Sequence, residues 1–176
     1  MSQCPTRMAS SIVMGVTALV FCTWAVSLAG LASVQDKCES GWSDALGLAI
    51  NGYSTGLACY SFFRYYWFIV SLEVCLIFGL AGVLASGAYA KFRNSFLGLF
   101  CVATLLYIQM SDTSLTTDTL TADAAQSQLK NRVRTWIAGS IMTATVNCFL
   151  IIALGMTESD AAPAAHHAAE EKANAV

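Results

Sequence analysis

Residues 12–34 read IVMGVTALVFCTWAVSLAGLASV and contain no charged side chain. An α-helix rises about 1.5 Å per residue and the hydrocarbon layer of a bilayer is about 30 Å thick, so roughly 20 such residues make one crossing. Three further stretches of the same character follow at 65–90, 94–111 and 135–156, each closed off by Lys, Arg, Asp or Glu. In lipid every backbone N–H and C=O must find its partner within the spanning structure, and a helix meets that demand within one segment. The pattern predicts an all-α fold, an integral membrane antiparallel four-helix bundle formed by residues 1–156 as one domain.

Composition agrees with that reading. The 176 residues are 56% hydrophobic and 11% charged, with a mean hydropathy of +0.60, whereas a soluble domain carries about 25% charged residues. The net charge is −2, and the nine Lys and Arg are scattered singly or in pairs, which gives no basic field for nucleic acid. Membrane lipids, other membrane proteins and further copies of this chain are the partners expected. The uncharged run 8–35 is about twice as long as the roughly 7–15 apolar residues of a secretory signal, so it reads as a retained first helix.

Between the spans, the first connection, residues 35–64, is long for a bundle. Trp42, Leu46, Ala49, Ile50 and Tyr53 recur there at helical spacing and predict a short amphipathic segment on the membrane surface. The aromatic cluster Tyr60, Phe62, Phe63, Tyr65, Tyr66 and Trp67 predicts an interfacial belt where the second helix enters the headgroups. A tight turn at 91–94 makes helices 2 and 3 a hairpin. Residues 112–134, rich in Ser, Thr and Asp, read as a loop whose second half prolongs helix 4. With Thr121 as its cap, helix 4 would run for about 35 residues, or roughly 50 Å. Residues 157–176 carry Ala, Glu, Pro and His without apolar periodicity and read as a disordered tail. Basic residues divide almost evenly between the two faces, and the turn with Lys91 and Arg93 assigns the termini to the cytoplasm.

Cysteine usage follows the same layout. Cys22, Cys75, Cys101 and Cys148 fall one per span, where a thiol packs as a small hydrophobe. Cys38 and Cys59 flank the first connection and are a candidate disulfide, while Cys4, near Arg7, is a candidate palmitoylation site.

Small side chains form stripes in the first two spans. Ser11, Gly15, Ala18, Cys22, Ala25, Ala29 and Ala32 alternate at spacings of four and three, and Ser71, Cys75, Gly79, Gly82 and Ser86 repeat the device. Such stripes permit close helix contact, expected here inside the bundle, with a dimerisation surface as the alternative.

Glu73 is the one ionisable side chain of Asp, Glu, Lys, Arg or His type within any span. A charged carboxylate at that depth costs about 2.5–3.5 kcal/mol or more, so it should be protonated, paired or next to a wet cavity. Ser27, Thr104, Gln109, Ser140 and Thr143 fall in the same half of the membrane as candidate partners, and Asn147 is expected to form an interhelical hydrogen bond. No Cys-x-x-Cys pair, no in-span His and no Ser, His and Asp set at membrane depth is found, so no catalytic residue, metal ligand or cofactor is assigned and a non-enzymatic role is expected.

Four spans, a tight middle hairpin, and two polar connections with a cysteine pair in the first resemble the MARVEL and Casparian-strip-like tetraspan proteins and, more loosely, the claudins. The likeness is one of layout. Gly41-Trp42 lies between the two loop cysteines rather than ahead of them, Arg7 precedes the first span and Asp112 follows the third. The resemblance implies a tetraspan scaffold, trafficking component or accessory subunit acting through lateral contacts. The residues themselves offer the alternative of a small oligomeric channel or transporter with Glu73 as an intramembrane proton or cation site.

Overall fold

A computed structural model describes residues 4–36, 59–120 and 127–156. They form four helices: α1 (Cys4–Gln35), α2 (Cys59–Ser86), α3 (Tyr89–Leu120) and α4 (Ser127–Met156). Each holds a stretch long and apolar enough to cross a membrane: Ser11–Gln35, Ser61–Ser86, Tyr89–Thr119 and Leu129–Met156. The helices follow one another around the bundle, α2 against α1 and α3, and α4 closing the ring with its most extensive contact on α1. Large apolar side chains such as Leu19, Phe68, Phe78, Leu105, Phe149 and Ile152 point outward, as a lipid-facing surface requires. The antiparallel four-helix membrane bundle is therefore the fold of this chain.

Several boundaries differ from those predicted. α1 starts at Cys4 because Pro5 falls in the first helical turn, where a missing N–H is no loss. The hairpin between α2 and α3 turns at Gly87 and Ala88, not at 91–94. Gly87 adopts φ 72°, the left-handed conformation that ends helices, and its N–H donates to the Leu84 carbonyl. Lys91 and Arg93 consequently belong to the first turns of α3. At its other end α3 continues through residues 112–120, which read as loop. The hydroxyls of Ser111, Thr113, Thr116 and Thr117 each donate to the carbonyl four residues back, and those of Ser114 and Thr119 to the carbonyl three back. Side chains that favour turns in water can instead support a helix when they bond to its own backbone. α4 begins at Ser127, so the fourth helix is prolonged ahead of the span 135–156, as the sequence of 121–134 predicts. The Cys38–Cys59 bridge, the amphipathic segment of the first connection, the Cys4 thiol, the proposed Thr121 cap and the tail 157–176 lie outside the described residues.

The ends of the helices nearest the first connection are tied by polar contacts. Arg132 of α4 donates to the Ser33 carbonyl at 2.8 Å and to Asp36 at 3.2 Å, placing a cation at the negative end of α1. Trp67 donates to Gln35, and Tyr66 to Thr113 at 3.1 Å. Three of the aromatic residues read as a belt turn inward instead. Phe62, Phe63 and Tyr66 are buried and pack with Trp136 of α4, ring centroids 5.6–6.0 Å apart for the Tyr66 and Phe63 pairs, while Tyr65 alone of the four faces outward.

The small-residue stripe of α1 faces the opposite way from the one expected. Gly15, Ala18, Cys22, Ala25 and Ala29 are exposed, and the inner face is Val13, Thr17, Val20, Trp24, Ser27, Leu31 and Val34. Both sets follow the same alternation of four and three residues, half a helical turn apart, so spacing alone fits either. The inner set has the bulk to fill a core between helices. In α2, Cys75 and Gly82 are exposed and only Gly79 packs inward, its Cα side 3.3 Å from the Phe96 ring as measured from an added Cβ. Cys22, Cys75 and Cys148 likewise face outward rather than packing inside. Ala25→Leu is therefore expected to leave the unfolding free energy in detergent within about 0.5 kcal/mol of the parent. A loss of about 1–3 kcal/mol, the cost of overfilling a core, would put the stripe back inside.

The close contact lies elsewhere, where α1 crosses α4. A Cβ added to Gly30 would sit 2.5 Å from the Trp136 Cα, and one added to Gly139 would sit 2.5 Å from the Ser27 Cα. Two glycines facing two backbones let these helices approach more closely than any side chain allows, so dispersion between them is large.

Candidate intramembrane polar site

Along every helix the buried apolar residues fall into two groups. One group, at the end near the first connection, comprises Leu31 and Val34 of α1, Phe63, Tyr66 and Ile69 of α2, Met110 of α3 and Trp136 of α4, among others. The second, toward the 87–88 turn, includes Val13, Val20, Leu80, Phe100 and Leu150. Each helix passes from one group to the other through polar positions. These are Thr23 and Ser27 in α1, Glu73 in α2, Thr104 and Tyr107 in α3, and Ser140, Thr143 and Asn147 in α4. A polar layer thus divides the core, and the half-buried Trp24 packs on both apolar groups across it.

Depth follows from the helix bounds. Glu73 is twelve positions from either end of the span Ser61–Ser86 to within one residue, or about 18 Å at 1.5 Å per residue, which is the middle of that span. The span 65–90 predicted from sequence would put it eight positions, or about 12 Å, from one end. It has no exposed surface at all.

The polar side chains of this layer are of two kinds. Thr104, Ser140 and Thr143 donate to carbonyls one turn back in their own helices at 2.7–2.8 Å, and Thr23 to the Val20 carbonyl at 3.0 Å. Trp24 joins α1 to α2 by donating to the Val70 carbonyl at 2.9 Å, one turn from Glu73. Those groups are satisfied. The Ser27 hydroxyl, both Glu73 oxygens, the Tyr107 hydroxyl and both polar atoms of the Asn147 amide are buried and complete no direct hydrogen bond. They are close neighbours nonetheless: the Asn147 amide is within bonding reach of Glu73, the Ser27 hydroxyl is within bonding reach of Tyr107, and Tyr107 is near Glu73. The site is one side chain from each of the four helices.

Of the residues singled out from sequence, Glu73, Asn147 and Ser27 meet here. Thr104 lies in the layer but its hydroxyl is engaged with Phe100. Gln109 does not belong to it; it is exposed on α3 and accepts from Tyr65 at 3.2 Å. The expected interhelical contact of Asn147 is made with Glu73 of α2, side chain to side chain, without the geometry of a full hydrogen bond. Tyr107 went unnoticed in the sequence, although a tyrosine at mid-span, away from the interfaces where its hydroxyl reaches water, was a signal. Among the described residues no three His, Cys, Asp or Glu side chains gather as a metal site would need.

The backbone is similar to a channel. It matches the crystal structure of the Chlamydomonas reinhardtii LCI1 channel with a TM-score of 0.71 over 85% of this chain and 96% of that one, at 19% sequence identity. At that identity the likeness is one of fold, a helical membrane bundle. No protein-family model matches the sequence, and no curated protein does.

Proposed function

We propose that this protein is a small channel or transporter in which the layer of Ser27, Glu73, Tyr107 and Asn147 is the station that a permeating species meets, with Glu73 as its controlling group. One observation carries the reading. A helical bundle that needed only to hold together would fill its centre with apolar side chains, whereas here each helix contributes a buried polar group with uncompleted hydrogen bonds. Carboxyls inside membrane spans mark ion and proton pathways more often than packing sites, and the similarity to a channel bundle supports the same reading. Apolar groups close the layer on both sides, which favours a small species over a hydrated ion.

Reconstitution in liposomes tests this directly. Proton and monovalent cation flux, followed with entrapped indicators, is expected to fall at least about tenfold in Glu73→Gln, equivalent to about 1.4 kcal/mol on the barrier. The variant should elute and fold as the parent does. Unchanged flux in a folded Glu73→Gln protein would refute the proposal.

A second reading has its own observation. The small-residue face of α1 is turned outward, where it can seat a helix of another protein or of a second copy, and this is the lateral scaffold implied by the resemblance to MARVEL and Casparian-strip-like proteins. Co-purification in mild detergent at a fixed partner stoichiometry, with wild-type flux absent, would favour it over conduction.

A further inference from the structure

We propose that the polar layer encloses internal water and a resident proton: Glu73 is held as the neutral carboxylic acid, bridged through that water to Asn147, Tyr107 and Ser27. The inference deepens the reading above by naming what occupies the same station, and rests on it only for the importance of the site.

The hydrogen-bonding inventory decides the kind of guest. Six buried atoms, on Ser27, Glu73, Tyr107 and Asn147, complete no direct bond of full hydrogen-bond geometry although Asn147 approaches Glu73 and Ser27 approaches Tyr107, and they include donors as well as acceptors. The Asn147 amide nitrogen can only donate; its oxygen and the Glu73 carbonyl oxygen can only accept; the hydroxyls of Ser27 and Tyr107 do both. A bare cation would engage the oxygens and leave the Asn147 N–H groups without an acceptor. Water donates and accepts, and a buried water typically makes about three hydrogen bonds to groups of this sort. The adjoining hydroxyls of Thr104, Ser140 and Thr143 already donate to their own backbones, so they have no donor left for the Glu73 and Asn147 oxygens, which water supplies.

Charge decides the proton. Asn147 and Tyr107 are next to Glu73, and the other buried polar side chains of the layer are Thr23 and Ser27 from α1, Thr104 from α3, and Ser140 and Thr143 from α4. None is cationic, and no Lys, Arg or His is among the buried side chains described. An unpaired carboxylate in this enclosure would be unsupported, so neutrality comes from a proton on one carboxyl oxygen, which then donates to the bridging water.

Infrared spectroscopy of the protein in liposomes reads both elements without any flux measurement. At neutral pH the wild type is expected to show a protonated-carboxyl C=O band that is lost in Glu73→Gln. The band should shift in D2O more slowly than those of exposed groups, and again in Tyr107→Phe and Ser27→Ala. Bands of isolated water that respond to oxygen-18 water should weaken in the same variants. Two outcomes would overturn the proposal. A carboxylate band that depends on sodium or potassium would identify a metal cation as the occupant, and a protonated band at the frequency of a free acid, unmoved by Tyr107→Phe or Ser27→Ala, would mean a dry layer. A wet, protonated layer in a protein without flux would leave this inference standing and remove conduction; flux through a dry layer would do the reverse. The wild-type band and its exchange require no variant, so a variant that fails to fold does not blunt the test.

Discussion

Gly139→Ala is expected to weaken the bundle by at least about 3 kcal/mol, at or beyond the upper end for overpacked cores. The added methyl carbon would lie 2.5 Å from both the Cα and the N of Ser27 and 2.9 Å from the Val26 carbonyl carbon. These obstacles are backbone and cannot rotate away, so α1 and α4 must separate along their most extensive contact. Gly30→Ala meets the Trp136 backbone at 2.5–2.6 Å and should behave alike. The same substitution at Gly15 or Gly82 meets nothing within 4 Å, and there alanine should be neutral or stabilising by up to about 1 kcal/mol through helix propensity. Unfolding in mixed micelles compares the four variants. If Gly139→Ala proves as stable as Gly15→Ala, the α1–α4 crossing is not the close contact described above.

The second large effect has opposite signs in stability and function. Replacing Glu73 and Asn147 together, as Glu73→Met with Asn147→Leu, removes four of the six unpartnered polar atoms of the layer and keeps comparable volume. Exchanging both members of a buried polar pair for apolar side chains is often neutral or stabilising, so the double variant should be no less stable than the parent and up to about 3 kcal/mol more stable. Asn147→Leu alone should fall below it, because the carboxyl then loses its amide neighbour. Flux should be abolished in the double variant. A double variant several kcal/mol less stable than the parent would show that the layer is a structural network that holds the bundle together, and would weigh against its role as a station for transport.

How much of this was legible in the chain depends on which interactions are local. Charge-free runs of about 20 residues gave four crossings, because burial of the backbone in lipid leaves a single chain segment little choice but helix. Glu73 stood out for the same reason: a carboxyl in such a run has few explanations. Helix ends were less legible. The run of Ser and Thr after Gln109 resembles a loop by composition, yet the hydroxyls bond to carbonyls within α3 and the helix goes on to Leu120. The turn at Gly87 was obscured by Lys91 and Arg93, whose charges suggested a surface turn a few residues too late.

Four helical crossings and one carboxyl among them follow from the chain alone, since hydropathy and length act within each segment. Which face of each helix turns inward is set by packing between helices. α1 holds two faces with identical four-and-three spacing, and the choice between them rests on volume matching across helices: Gly30 and Gly139 against opposing backbones, and bulky Val, Trp and Leu residues filling the remaining space. That same choice brings Ser27, Glu73, Tyr107 and Asn147 together from positions 27 to 147 of the chain, a convergence that no spacing within one helix encodes.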